Sequence, residues 1–379
     1  MMRLDNGARE AQAGDNPLLP QRRSCNTWPG PSPVSHEREV ARPMSALSQP
    51  PLDADPGRIV AEVEASVARV KEARAAIGRV IYGQETVIDR TLITIFAGGH
   101  GLLIGVPGLA KTKLVDTIGT VCGLSSARIQ FTPDLMPSDI LGTEVMDVGT
   151  DGSRAFRFVA GPVFTQLLMA DEINRASPRT QSALLQSMQE HHVTVAGERH
   201  DLPSPFHVLA TQNPLEQEGT YPLPEAQLDR FLLQIDVVYP DREAERRMLF
   251  ETTGSTEART EAVLDAESIK GIQALVRRMP VGESVVEAIL NLVRSARPGE
   301  GDRKLANAIA WGPGPRASQA LMLAVRARAL IDGRLAPSLD DVVDLAEPVL
   351  KHRMALTFAA RADGLTIAEV IAELKGKIG

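Results

Sequence analysis

Residues 101–112 read Gly-Leu-Leu-Ile-Gly-Val-Pro-Gly-Leu-Ala-Lys-Thr, a short apolar run that breaks into a glycine-rich turn ending in Lys111 and Thr112. The spacing predicts a buried strand, a loop, and a helix opening at Lys111. The residue types suit an anion. Gly105 and Gly108 let backbone N–H groups turn inward, and the helix N-terminus adds its positive dipole end. Lys111 can bring an ammonium to the β- and γ-phosphates, and the Thr112 hydroxyl can ligate Mg²⁺. Ala110 stands where such loops usually carry a glycine before the lysine. Taken alone, the segment could be a glycine turn beside a surface lysine, and at most it says nucleotide.

The second half of a nucleotide site follows about sixty residues later. Leu167, Leu168, Met169 and Ala170 precede Asp171 and Glu172, as in a buried parallel strand that delivers carboxylates at its C-terminal edge. Asp171 is placed to hold the hydration shell of Mg²⁺. Glu172 suits a general base that polarises an attacking water. Adjacent acids at a strand end are often merely solvated. Behind a phosphate loop at this distance they read instead as an ATP hydrolase, since a kinase has no use for a water-activating glutamate here.

Two further segments narrow the reading. His207–Asn213 is another apolar strand that ends in polar amides, able to reach a γ-phosphate or its water. Pro222–Phe231 carries a helix-start signal, with Arg230 at its far end. With these segments the chain closely resembles the AAA+ ATPases, specifically the MoxR family. The resemblance rests on Gly105–Thr112, Arg128–Asp139, Gly161–Phe164, Ala170–Gln181, Ala210–Pro214 and Tyr221–Phe231, and runs from about residue 60 to the C-terminus. Ala110 is what this family tends to carry.

The resemblance implies roles. Lys111 and Thr112 would form the Walker A site, within a nucleotide-binding run of Gly105, Val106, Pro107, Gly108, Leu109, Ala110, Lys111, Thr112 and Lys113. Asp171 and Glu172 would form the Walker B site, with Thr112 and Asp171 on the metal. Asn213 resembles the sensor-1 residue, Arg230 the arginine finger that enters a neighbouring subunit's site, and Arg316 the sensor-2 arginine. Plainer readings stand beside these. Asn213 could cap a turn with Pro214, and Arg230 could end a solvated helix. Arg175 and Arg179 are alternative trans-acting arginines, and Arg316 could serve its own nucleotide or its neighbour's. The stretch Val80–Gln84 lies beside the adenine in this family, which adds Tyr82 and Gly83 to the nucleotide site; otherwise it is a helix–helix junction.

Composition bounds the alternatives. A chain of 379 residues suits about two domains beside a tail. There are 41 basic and 48 acidic residues, a net charge of −7, and no dense Lys/Arg stripe, which argues against nucleic acid as the main partner. An aromatic fraction of 4% leaves little for a base-stacking platform. Two cysteines, Cys25 and Cys122, fit a reducing compartment and suggest no disulfide. No apolar run is long enough to span a membrane and no signal-peptide core is visible, so the cytoplasm is expected.

Residues 1–55 hold seven prolines in their first fifty positions and no sustained apolar period, which predicts a disordered tail. Arg22-Arg23 lacks the hydrophobic segment of an export signal, and Met44 is a candidate true start. Order is expected from near Ile59, where Val60, Val63, Val67, Val70 and Ile77 recur at helical spacing. Residues 56–239 then alternate strands near 102–106, 128–131, 167–171, 206–211 and 232–238 with helices, which means a parallel sheet covered on both faces. The resemblance implies a P-loop AAA+ core with strand order 5-1-4-3-2. Hairpins are expected near 143–159, around a Gly149–Gly152 turn, and near 192–202. In the helix-2-insert class of AAA+ proteins such hairpins face the ring's pore or its client. His191, His192 and His200 read as loop histidines without a ligand set. Residues 240–379 turn wholly helical, with Ser338–Asp341 as a helix start, and read as an α-helical lid.

The resemblance implies an ATP- and Mg²⁺-dependent hydrolase that forms a ring of its own copies, a hexamer, and acts as a chaperone-like remodelling factor on protein clients. Relatives often work with proteins carrying von Willebrand factor A domains. The alternatives are a motor of the metal-chelatase or helicase kind, kept open by Arg154, Arg157 and Arg199, and a non-hydrolysing scaffold, which an intact Glu172 and Asn213 oppose.

Overall fold

The structure, a computed structural model, describes residues 56–148, 150, 153–215, 219–253, 260–301 and 303–378. The tail expected to lack order, with Cys25 and Met44, lies outside the described residues, as do Gly149, Asp151 and Gly152 of the expected first hairpin turn.

Pro56 opens α1 (Pro56–Gly78), and Val63, Val70 and Ile77 on its inner face are buried. Helix α2 (Glu85–Phe96) is followed by β1 (Gly101–Ile104), α3 (Lys111–Val121), β2 (Ser126–Gln130) and the short α4 (Pro137–Leu141). Next come an antiparallel pair, β3 (Gly142–Val148) and β4 (Arg154–Ala160), then β5 (Leu167–Asp171) and α5 (Pro178–Glu190). A second antiparallel pair, β6 (His192–Val195) and β7 (Glu198–Asp201), precedes β8 (His207–Gln212), the single turn α6 (Glu225–Leu228) and β9 (Leu233–Asp236).

Strands β2, β5, β8, β1 and β9 make one parallel sheet in that spatial order. Counted among the sheet's own strands this is 5-1-4-3-2, the expected order. All five residues of β5 are buried, which is the pattern of a strand covered on both faces. Alternate side chains feed two cores. Leu103, Leu209 and Leu233 join α1, α2 and α3, whereas Leu102, Leu168, Val208 and Ala210 join Leu184, Leu185 and Met188 of α5. The first hairpin leaves the core through a glycine pinch. Gly142 has φ +98°, and a Cβ there would meet the Val159 carbonyl oxygen at 2.3 Å.

Beyond the sheet the chain is dominated by helices. These are α7 (Arg242–Thr252), α8 (Ala266–Arg278), α9 (Glu283–Ser295), α10 (Arg303–Ala308), α11 (Pro315–Ile331), α12 (Leu339–Leu350), α13 (Phe358–Ala362) and α14 (Ile367–Lys375). Ser338 and Asp341 cap α12 reciprocally, as the sequence signal predicts. The region is not wholly helical. Between α10 and α11, β10 (Ile309–Trp311) pairs antiparallel with β11 (Ala355–Leu356), a ladder too short to carry a visible period-2 pattern. These helices continue the core built on α1 and α2. Gln273 of α8 donates to the Ile95 carbonyl at 2.9 Å, and Lys351 donates to Asp236 at 2.5 Å.

Candidate functional site

The loop between β1 and α3 delivers the expected residues to the C-terminal edge of the sheet, the ligand-binding side of open α/β sheets. Gly105 sits against β9's extension, where a Cβ would meet the Val237 carbonyl oxygen at 2.6 Å, so only glycine lets the loop leave the strand this closely. Ala110, at the helix N-cap, has φ 54° and ψ 24°. The glycine usually found here is replaced by an alanine held in the same left-handed region, at a cost of roughly 1–2 kcal/mol.

Pro107–Lys113, Asp171, Glu172 and Asn213 line one cavity. Lys111 Nζ donates to the Gly105 carbonyl and, at 3.1 Å, to that of Val106. Burial lowers the pKa of its ammonium, against the opposing pull of Asp171 and Glu172. Asp171 ends β5 with both oxygens engaged: Oδ1 accepts from the Thr211 hydroxyl at 2.5 Å, and Oδ2 from Arg128 Nη2 at 2.6 Å. Glu172 lies just past the strand at φ 55°, an uncommon backbone state for a non-glycine residue that often marks a functional position. Its Oε2 accepts from Gln130 Nε2 at 2.8 Å and Arg175 Nη1 at 2.9 Å. Asn213 is buried, and its Oδ1 accepts from the Leu215 amide at 3.1 Å, so the turn-capping role is present at a residue that also faces the cavity. Thr112 and Asp171 offer hard oxygen donors beside one another's loop, a donor set that fits Mg²⁺.

A larger cavity of about 650 Å³ adjoins the loop, lined by Val80, Ile81, Tyr82 and Gln84 on one side and Tyr239, Met248 and Thr252 on another. Its volume suits a nucleoside. Tyr82 carries the Arg247 guanidinium over its ring at 5.5 Å. Gln84 is 7% exposed; its Nε2 donates to the Leu109 carbonyl at 3.4 Å, whereas its Oε1 has no partner among the described residues. Gly83, at φ +67°, packs on Ala244 of α7 instead of lining this cavity.

Arg230 and Arg316 are not in the loop cavity. Both line a separate one with Asp229, His100, His191 and Arg353. Arg316 Nη1 lies 3.6 Å from Asp229 Oδ2. Burial and the nearby Arg316 charge lower the pKa of Arg230 against the pull of Glu190, and its guanidinium has no hydrogen-bond or ion-pair partner among the described residues. Of the alternative arginines, Arg175 is tied to Glu172 of its own chain and Arg179 is exposed on α5.

The sequence did not single out Arg128, Gln130, Thr211 or Gln84 for roles. The first three matter because β2, β5 and β8 are neighbours, with Gln130 opposite Asp171 in register. Thr211 stands near the polar end of the apolar strand β8, whereas Arg128 and Gln130 lie on β2, a mostly exposed strand with no such signal.

Among known proteins, residues 100–233 match the family model for the ATPase family associated with various cellular activities (AAA), and residues 304–374 match that for the AAA lid domain. The chain is 40% identical over 326 residues to Chaperone MoxR1 of Mycobacterium tuberculosis, covering 86% of this chain and 85% of that one. It is 32% identical over 300 residues to Protein MoxR of Methylorubrum extorquens, covering 74% and 85%. A crystal structure of a Cytophaga hutchinsonii protein aligns with a TM-score of 0.78 at 38% identity, covering 84% of this chain and 97% of that one. No helix among the described residues is long and apolar enough to cross a membrane. With this sheet order, this loop and these relatives, the chain belongs to the MoxR family of AAA+ ATPases.

Proposed function

We propose that this chain hydrolyses ATP with Mg²⁺ in a ring of its own copies, a hexamer, and remodels or matures protein clients. Residues 56–239 serve as the nucleotide-binding core and residues 240–379 as the lid. The matches at 100–233 and 304–374 fall inside these bounds and support them.

ATP binds with its base in the Tyr82–Gln84 cavity and its phosphates along Gly105–Thr112, where backbone amides and the dipole of α3 meet the anion. Lys111 balances the β/γ charge. Thr112 and Asp171 hold Mg²⁺, which when bound neutralises charge on the leaving diphosphate. Glu172 accepts the proton of the attacking water and Asn213 orients that water, giving ADP and phosphate.

The ring reading is carried by one observation: Arg230 and Arg316 share a cavity that has no residue in common with the one holding Lys111, Glu172 and Asn213. Neither Arg230 nor Arg316 thus faces the Glu172 of its own chain, and a second copy supplies them, with both arginines acting in trans. Exposed Met146, Val148 and Phe156 on the first hairpin favour a protein client. Helicase action is disfavoured because Arg157 pairs with Asp147 and Arg199 with Asp201 within their own hairpins. Partners with von Willebrand factor A domains are expected from the family resemblance.

The test is complementation. Arg230→Ala should bind ATP normally and lose hydrolysis by about 10³–10⁵, and mixing it with Lys111→Ala, which binds no ATP, should restore part of the activity. A fully active Arg230→Ala protein, or a wild type whose specific activity stays flat down to concentrations where it is monomeric, would defeat the ring.

A further inference from the structure

Arg353, 1% exposed, is the largest fully buried side chain among the described residues and lies in the helical turn that follows α12. A buried guanidinium persists only where its donors are met, and this one is met almost entirely by the segment around Arg230. Nε donates to Asp229 Oδ1 at 2.7 Å, and Nη2 to the carbonyls of Phe231 at 2.6 Å and Asp229 at 3.3 Å. Nη1 reaches the Leu232 carbonyl at 3.2 Å and, on its own helix, that of Val349 at 2.5 Å. The residues on both sides of Arg230 are therefore fixed by one lid side chain, while the Arg230 guanidinium itself makes no hydrogen bond or ion pair among the described residues, Glu190 acting on it only at longer range. Asp229 also faces Arg316 at the start of α11, so two lid elements meet on one carboxylate. His352, beside Arg353, adds a further bond to the Phe231 carbonyl at 3.0 Å.

We propose that Arg353, through Asp229, is a positioning residue for Arg230: it locks the turn from Asp229 to Leu232 onto the lid, so that the lid of one subunit sets the aim of the arginine it offers to the next. This rests on the reading of Arg230 as a trans-acting finger. Packing alone would be satisfied by an apolar side chain of similar volume. The planar fork instead meets four carbonyls and a carboxylate in a fixed geometry, which a lysine, as a flexible point charge, cannot reproduce.

The experiment uses the full chain with Arg353→Lys, and Asp229→Asn as a second variant should the first fail to fold. Expected is a kcat lower by about 10²-fold, the size of a misplaced catalytic group, with KM and affinity for ATP unchanged. Mixing either variant with Lys111→Ala subunits should restore activity, because the latter present a correctly aimed Arg230 to an intact site. The double variant Arg230→Ala/Arg353→Lys should be no slower than Arg230→Ala alone, since both remove one interaction. An Arg353→Lys protein with wild-type kcat, a loss that mixing does not restore, or a further loss in the double variant would overturn the proposal. Arg230→Ala mixed with Lys111→Ala runs in parallel. If that control also fails to recover, the finger reading falls and the proposal with it; if only the Arg353 mixture fails, the proposal alone falls.

Discussion

Arg128 Nη2 sits 2.6 Å from Asp171 Oδ2, a contact from the edge strand β2 to the acid that ends the neighbouring strand. The cation is half-exposed and the acid nearly buried. Any Mg²⁺ drawn to Asp171 meets a carboxylate that already holds a guanidinium.

Replacing Arg128 with methionine should therefore lower the Mg²⁺ concentration needed to saturate nucleotide binding. The shift should be about three- to ten-fold, because solvent screens part of a half-exposed pair. Titrating Mg²⁺ against a fluorescent ATP analogue reads it. A higher Mg²⁺ requirement would mean instead that Arg128 holds Asp171 in its metal-binding orientation.

Glu172→Gln should keep ATP and Mg²⁺ bound while hydrolysis falls by roughly 10²–10⁴, since an amide of similar shape cannot take the water's proton. The expected signature is unchanged nucleotide affinity and a longer-lived ATP-bound assembly by size-exclusion chromatography. Near-wild-type turnover would remove Glu172 from the catalytic role.

The amide of Gln84 is oriented by its bond to the Leu109 carbonyl, which leaves an acceptor beside the larger cavity with no partner among the described residues. An acceptor there suits the exocyclic amine of adenine and opposes the carbonyl of guanine. Gln84→Leu should narrow the preference for ATP over GTP by about ten-fold, the value of one hydrogen bond to a base. Competition binding of the two nucleotides measures it, and an unchanged ratio would assign the choice of base to other groups.

Three buried histidines, His100, His207 and His352, make acid destabilising. Burial pushes His100 down from 6.5 to about 3, His207 to about 4 and His352 well below 6.5. Each is held neutral. The Val208 amide donates to His100 Nδ1 at 3.0 Å, and His207 Nδ1 lies 2.8 Å from the Gly99 carbonyl, with its Nε2 facing the Gln273 amide at 3.1 Å. The unfolded chain takes up a proton at each near pH 6.5 while the native one does not. The contribution is thus complete above pH 6.5 and declines as pH falls toward the native values, by about 2 kcal/mol per histidine at pH 5. Urea midpoints at pH 7.5 and pH 5 should differ accordingly, and a flat profile would show that these rings protonate in the native state.

Which parts of this were legible in the chain follows from how local their causes are. The buried strands announce themselves as apolar runs, and the second hairpin forms at His192–Asp201 around the Ala196-Gly197 turn. Lys111, Thr112, Asp171 and Glu172 were readable because loop and strand end carry their chemistry within a few residues. Arg128, Gln130 and Thr211 were not, since their roles depend on which strands lie side by side. Arg353 read as one of several cations in Lys351–Arg353, the ordinary way to end a helix. Nothing local distinguishes a solvated arginine from one that grips the main chain of a segment more than a hundred residues earlier.

The short ladder of β10 and β11 ties Ile309 and Trp311 to Leu356 and Ala355, and the Thr357 amide adds a bond to the Ala308 carbonyl at 2.8 Å. One strand lies just before Arg316 and the other just after Arg353. The two arginines that meet at Asp229 are thus clasped at the base of the loop formed by α11 and α12, whatever those helices do along their length. The ladder joins the two segments that carry them. A chain ended ahead of Ala355 would keep both side chains and lose the buckle that makes them a single lever.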